Sequence, residues 1–401
     1  MNGSILTLNA GSSSLKFSLY DNGDELSLLA AGQVEALGIA PQLHINNGAG
    51  ETLEACKLDK REAATPSEAL SKIIATLKAR IEGPEICAVG HRVVHGGSQF
   101  LKPVRTDGSI LENLAILEPL APLHQPHNLA GIRAARKHFP AAVQVACFDT
   151  SFHRSHAWIN DTFALPRRYY DKGIRRYGFH GLSYEYVTLR LYEMAPALAA
   201  GRVVIAHLGN GASMCAVRDG QSVGSTMGFS ALDGLPMGTR CGQIDPGVLL
   251  YLMQHDGLNC DQLQDLLYRE SGLKGLSGLS PDMRILEASE LPSAEEAIAY
   301  FVSRIQRELG AMAAILQGLD AVVFCGGIGE HSHNIRDRIC QGMCWLGLHL
   351  DEARNRTGEA IISSETSRVK ALVIPTNEEL MIARHTRELL ERGSNTTRAE
   401  T

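Results

Sequence analysis

The sequence predicts an α/β protein of two domains built on one repeated unit. Three observations carry this expectation. A strand, a glycine turn and a second strand occur at residues 5–20 and again at residues 203–217. Helical and extended patterns alternate through the rest of the chain, as in layered α/β folds. The length of 401 residues exceeds the size at which a single hydrophobic core stops growing.

The opening hairpin comes first. Leu15, Phe17 and Leu19 alternate with Ser14, Lys16 and Ser18, the period of a half-buried strand, and Asn22-Gly23 closes its far end. The turn offers Gly11, serine hydroxyls and backbone N–H groups with Lys16 close by, a cradle for an anion such as phosphate. It is not a Walker A loop, because no Gly precedes Lys16, no Ser or Thr follows it, and a strand comes next. Residues 67–81 have helical periodicity, with Leu70, Ile73, Ile74 and Leu77 on one face and Pro66 as the start signal. The apolar run 143–148 reads as a strand followed by Asp149, either a functional carboxylate at a strand end or a helix N-cap.

The second hairpin runs through His207, Leu208, Gly209, Asn210 and Gly211 to an Asp219-Gly220 reversal. Residues 295–316 read as a long helix, and 320–324 as a strand leading to a third glycine turn, Gly327-Ile328-Gly329, with a helix from Asn334. The polar residues 392–401 are expected to fray. The repeat places a domain boundary near residue 150, giving an N-terminal domain of 1–149 plus 381–401 and a C-terminal domain of 150–380.

Composition excludes several function classes. The net charge of -6 gives no electrostatic case for nucleic acid or an anionic membrane. No apolar run approaches the roughly 18 residues that span a bilayer, and no basic and apolar leader is evident, so a cytoplasmic protein is expected. The nine cysteines are an odd number and scattered, which fits reduced thiols. Fifteen histidines invite a metal reading, but no HExxH or comparable ligand motif occurs.

Two arginines are set among glycines, Arg92 between Gly90 and Gly96-Gly97, and Arg240 between Gly238 and Gly242. An arginine so placed can meet a carboxylate or phosphate in bidentate fashion. The Gly327-Ile328-Gly329 turn with Asp351 beyond it partly mimics a dinucleotide fingerprint, yet lacks the third glycine and leaves both hairpins unexplained. Adenosine of a mononucleotide resting on this turn accounts for more of the chain.

The strings NAGSSSLKF, GHRVVHGG, APLH, FDTSFH, RRYGFHG, HLGNGAS, MGTR, GGIGE and IPTNEE occur in this order across nearly the whole chain. Together they closely resemble the acetate and propionate kinases of the sugar kinase, heat-shock chaperone and actin superfamily. The resemblance implies two duplicated domains with an ATP cleft between them. It implies reversible in-line phosphoryl transfer from ATP to acetate, giving acetyl phosphate and ADP, in a cytoplasmic homodimer with Mg²⁺, for which Mn²⁺ can substitute. Propionate kinase with the same mechanism is the alternative within the class. A non-kinase ATPase module of the actin or chaperone type is the alternative outside it, disfavoured because it has no use for Arg92 and Arg240 and no further domain follows IPTNEE.

By the same resemblance Asn9 and Glu378 serve the metal, and Lys16 and Ser12 the nucleotide phosphates. Arg92 binds the substrate carboxylate beside Val94 and Leu123, with His124 nearby. Asp149 is the catalytic acid or base position, while His180 and Arg240 stabilise the transferring phosphoryl group. Residues 207–211 (His207, Leu208, Gly209, Asn210, Gly211) cradle ATP. Asp282, Met283 and Arg284 line base and ribose, and Gly327, Ile328, Gly329, Glu330 and His331 hold the adenosine side. A carboxylate substrate is already ionised, so Asp149 is better pictured orienting a ligand, an arginine or a metal-bound water. The chain departs from the family pattern at Ser98, Gln125, Ala231, Asp233, Gln243 and His331. Propionate specialists tend to carry a smaller residue at the Val94 position, so Val94 favours acetate.

Overall fold

The protein's structure is a computed structural model describing residues 3–11, 13–81 and 85–399, with side chains as far as Arg392. The chain divides into two units, Met1–Ser151 with Asn377–Thr401, and Phe152–Thr376.

Unit 1 carries an eight-stranded sheet: β1 (Ser4–Ala10), β2 (Ser14–Asn22), β3 (Leu26–Glu35), β4 (Gln42–Asn47), β5 (Thr52–Lys57), β6 (Ile86–Val93), β7 (Val104–Arg105) and β8 (Val143–Phe148). Their order across the sheet is β5-β4-β3-β2-β1-β6-β8-β7. The hairpin β1–β2 pairs Asn9 with Lys16 and Ala10 with Leu15, and its turn closes through Gly11 N–H donating to the Ser14 carbonyl at 2.8 Å. Ser12, expected at the phosphate turn, lies outside the described residues. The half-exposed face expected of β2 holds only at Ser14 and Lys16; Phe17, Ser18, Leu19 and Tyr20 are all buried. The reason is that β2 is an interior strand, flanked by β1 and β3 and covered by helices Pro66–Arg80 and Glu378–Ala399.

Helix Pro66–Arg80 starts where the sequence places it. Thr65 and Glu68 form a reciprocal capping box and Pro66 opens the first turn. Its apolar stripe buries Ala69, Leu70, Ile73 and Leu77 in the cluster that holds Leu6, Leu8 and Phe17. The opposite approach, by helix Glu378–Ala399, depends on Gly90: a Cβ there would overlap Thr386 Oγ1 and Ile382 Cγ2. The backbone of this helix continues to Ala399; residues 400 and 401, the end of the segment expected to fray, lie outside the described residues.

Unit 2 carries β9 (Arg202–Leu208), β10 (Ala212–Arg218), β11 (Gln221–Ser225), β12 (Ala321–Cys325) and β13 (Lys370–Val373) in the order β11-β10-β9-β12-β13. Three antiparallel strands are followed by two parallel to the first, the same order as β3-β2-β1-β6-β8 in unit 1. The repeat therefore extends from the hairpins to the five-stranded unit. β9 is covered by helices Gly181–Met194 and Pro292–Leu316, and β12 is buried throughout, with Ala321, Val323 and Cys325 in one cluster with Tyr184, Val187 and Leu191.

The third glycine turn is a correction. Residues Gly326–His331 form a helix that starts directly after β12. Gly326, at φ 75°, makes the change of direction in one residue. Among the described residues no helix is long and apolar enough to cross a membrane.

Two buried histidines couple the fold to pH. Burial lowers His91 from 6.5 to about 4, against its bond to Gln144, and lowers His153 to about 3. The unfolded chain takes up these protons near pH 6.5, whereas the folded protein does so only near 4 and 3. The stabilising contribution is complete above pH 6.5 and is lost as pH falls. The urea midpoint should therefore drop between about pH 7.5 and pH 5; a flat midpoint would contradict this coupling.

Candidate active site

In unit 1, β1, β6 and β8 are parallel and end at one edge of the sheet. Arg92 lies level with Cys147, so Asp149, two residues beyond Cys147, shares its face. Arg92 donates from Nε to Asp149 Oδ1 at 3.0 Å and from Nη2 to Oδ2 at 2.6 Å. Glu378, at the start of helix Glu378–Ala399, approaches Arg92 Nε to 3.6 Å. Asp149 is 1% exposed. Burial raises its carboxyl pKa, against the pull of Arg92. Burial alone would lower the Arg92 pKa, but Asp149 and Glu378 outweigh it and raise it. Arg92 Nη1 makes no protein hydrogen bond among the described residues, which leaves a donor for a ligand.

Asn9 stands one step past the Leu8–His91 pair and opposite Lys16. Its half-buried amide makes no protein hydrogen bond among the described residues. Glu379 is half-buried beside these groups, and burial first, then the charge of Glu378, raises its pKa.

Val94 is buried just past β6. Leu123 and His124 directly precede helix Gln125–His138, with His124 at its N-cap. One turn into that helix, Asn128 accepts from Val94 N–H at 3.0 Å and donates to the Ala10 carbonyl at 2.7 Å. It ties the end of β1 to the segment after β6, a role the sequence did not reveal. Gln125, one of the departures, is buried and donates to the carbonyls of His95 and Leu114 at 3.1 and 3.2 Å.

In unit 2, His180 caps helix Gly181–Met194 with φ 58°, a sparsely populated conformation for a non-glycine residue. Its ring stacks on His207 with centroids 4.4 Å apart. Nδ1 lies 2.8 Å from Ser213 Oγ, and Nε2 is 3.3 Å from where a Gly211 Cβ would stand. The structure thus brings His180 over the turn of the second hairpin. The loop holding Arg240 docks on the same turn, since Gly238 N–H donates to the Asn210 carbonyl at 3.1 Å. Arg240 donates from Nη1 to the Ala231 carbonyl at 3.1 Å, and its guanidinium lies 6.0 Å from the Tyr268 ring centre.

A cavity of about 630 Å³ opens beside this hairpin, lined by Gly209, Asn210, Asp282, Met283, Arg284, Gly327, Ile328 and His331. Pro281, Glu287 and Ser332 line it too and were missed by the sequence reading, having no motif of their own. Gly329 and Glu330 do not line it. The Glu330 carboxylate instead accepts from Gly326 N–H at 2.8 Å and Thr376 N–H at 3.1 Å. Arg336, 1% exposed, donates to the carbonyls of Gly329 and Glu330 at 2.9 and 2.8 Å. The short helix that floors the cavity is thus held at both ends.

A five-strand unit repeated in one chain, each copy carrying a glycine-cornered hairpin, defines the class of actin-like ATPases and sugar kinases. Within it, the model of the acetokinase family matches residues 4–384. An acetate kinase of Methylocella silvestris is 56% identical over 96% of this chain and 98% of its own. The crystal structure of Porphyromonas gingivalis acetate kinase has a TM-score of 0.87 and 36% identity, covering 97% of this chain and 100% of the other. That of a Francisella tularensis propionate kinase has a TM-score of 0.89 at 36% identity, covering 96% and 99%. The chain belongs to the acetokinase family.

Replacing Asn128 by Ala leaves the Val94 N–H and Ala10 carbonyl unpaired in a buried setting. We expect a loss of about 2–3 kcal/mol in stability, read from the urea midpoint, and a loss under about 0.5 kcal/mol would contradict the bridging role.

Proposed function

We propose that the chain transfers the γ-phosphoryl group of ATP to acetate, reversibly, giving acetyl phosphate and ADP. The observation that carries this reading is the Arg92–Asp149 pair: a guanidinium held rigidly by a buried carboxylate at a strand end, with Nη1 left to meet a small carboxylate. The 630 Å³ cavity is of a size for adenosine, and it adjoins the hairpin proposed to cradle the phosphates.

Acetate is ionised at neutral pH, so its oxygen needs no general base. Catalysis then rests on in-line positioning and neutralisation of charge. In this reading Arg92 aligns the acceptor carboxylate against the apolar wall of Val94 and Leu123, with His124 beside it. Both Asp149 oxygens are committed to Arg92, so Asp149 acts by holding that guanidinium and does not move a proton. His180 and Arg240 stabilise the transferring group, and Lys16 meets the nucleotide phosphates.

The donor set fits a hard divalent cation. Asn9 has an amide with no protein hydrogen bond among the described residues, and Glu378 supplies a carboxylate. Such a set suits Mg²⁺, which keeps few protein ligands and several waters or phosphate oxygens. Asn9 and Glu378 are the residues proposed to hold it, where it would neutralise phosphate charge. We extend the proposal to a cytoplasmic homodimer, for which helix Pro246–His255 offers the exposed Leu250, Tyr251 and Met253.

Propionate is the second reading, since one neighbouring structure is that of a propionate kinase. A single methylene in an apolar pocket changes discrimination by only ~1–3 kcal/mol, and the ratio of kcat/KM for acetate and propionate decides between them. The direct test is incubation with Mg-ATP, acetate and hydroxylamine, with acetyl hydroxamate as readout; no product from acetate, propionate or butyrate would refute kinase activity. Arg92→Ala and Arg240→Ala should each lower turnover a hundredfold or more, about 3–4 kcal/mol, with the fold intact by circular dichroism. Half-maximal activity in either variant would remove that residue from the site. Asp149→Asn should also cripple turnover, and near wild-type kcat at saturating Mg²⁺ would exclude both a holding and a proton-transfer role.

A further inference from the structure

Behind His180 runs a buried chain of hydroxyls that neither the hairpin motif nor the phosphoryl chemistry explains. Ser213 on β10 is paired with His207 on β9. Tyr184 stands one turn after His180 on helix Gly181–Met194, its N–H donating to the His180 carbonyl at 3.0 Å. Three elements thus converge, bringing Tyr184 Oη to 2.5 Å from Ser213 Oγ and Ser213 Oγ to 2.8 Å from His180 Nδ1. Tyr184 and Ser213 are both fully buried.

The protons in this chain can be assigned by counting donors. Burial pushes the Tyr184 phenol well above its ordinary pKa, so it keeps its proton. Its one hydrogen-bond partner among the described residues is Ser213 Oγ, so Tyr184 donates to Ser213. The single Ser213 proton is then directed to His180 Nδ1, which must be the bare nitrogen. With the proton on Nδ1 instead, Ser213 would accept twice and leave its own O–H buried without a partner, a costly arrangement. The ring proton therefore sits on Nε2, the nitrogen nearest Gly211 and the hairpin turn. Stacking on His207 fixes the plane of the ring but does not choose between its nitrogens.

We propose that the Tyr184–Ser213 chain holds His180 as the neutral tautomer protonated on Nε2, so that the ring serves phosphoryl transfer as a hydrogen-bond donor and not as a base. No proton changes hands in this role. Tyr184 and Ser213 are positioning residues acting through His180. The role in turnover rests on the phosphoryl-transfer reading above; the tautomer itself does not.

The test is a long-range ¹H–¹⁵N spectrum of the full chain labelled with ¹⁵N-histidine, with the His180 ring assigned by its loss in His180→Gln. The wild-type ring should show a protonated Nε2 and a bare Nδ1. Ser213→Ala removes the hydroxyl that donates to Nδ1 and should give a mixture of both tautomers. Its kcat should fall roughly tenfold, with KM for acetate and ATP nearly unchanged, as expected when only transition-state stabilisation is lost. Tyr184→Phe leaves Ser213 with Nδ1 as its acceptor and should keep the wild-type tautomer; if Ser213→Ala does not fold, the wild-type spectrum decides. A wild-type ring protonated on Nδ1, or a Ser213→Ala ring unchanged from wild type, would overturn the proposal. The spectrum is recorded without substrate. The expected tautomer together with no hydroxamate from any carboxylate would therefore overturn the functional reading and leave the ring assignment standing.

Discussion

The parallel register of β1, β6 and β8 is the constraint on which the proposed acceptor site depends. Because all three strands run the same way, their carboxyl ends open at one edge of the sheet, where α/β folds place their ligands. Asn9, Arg92 and Asp149 meet there although Arg92 and Asp149 are 57 residues apart in sequence. The same register lets Asn128 bridge Ala10 and Val94, and the absence of a side chain at Gly90 lets the C-terminal helix carry Glu378 close to Arg92. A shift of one residue in β6 would turn Arg92 to the opposite face and leave Asp149 buried without its counter-charge.

Unit 2 solves a related problem with charge instead of register. The floor of its cavity is a helix of six residues, Gly326–His331, too short to be stable by itself. Glu330 accepts the orphan N–H at its start, and Arg336 donates to carbonyls near its end. Arg336 is buried with carbonyls and Asn355 for partners, so its charge is dispersed over dipoles and burial lowers its pKa. The part of this helix that lines the cavity is kept in place by the Glu330 and Arg336 side chains.

These arrangements suit a reaction that asks little of acid–base chemistry. The acceptor arrives ionised, so what the protein must supply is alignment and donors held in place before the reaction starts. Arg92 is locked by a bidentate pair and His180 by a hydroxyl chain. Neither has far to move, which is how a preorganised site avoids reorganisation during phosphoryl transfer.

Local signals were legible in the sequence because they depend on near neighbours. The glycine hairpins, the helix starting at Pro66 and the strand ahead of Asp149 follow from periodicity and turn chemistry. The family motifs named Arg92, Asp149, His180 and Arg240. What the sequence could not supply are pairings between distant segments. Which partner Asp149 takes, why Ser18 is buried, and where the Glu330 carboxylate points depend on what packs against each residue. So do the anchoring of the Gly326–His331 helix by Arg336 and the nitrogen of His180 that faces the hairpin. Composition and short-range pattern determined the elements and the chemistry they can carry. Only the tertiary structure decided which groups face each other, because burial and hydrogen-bond satisfaction are properties of the assembled interior.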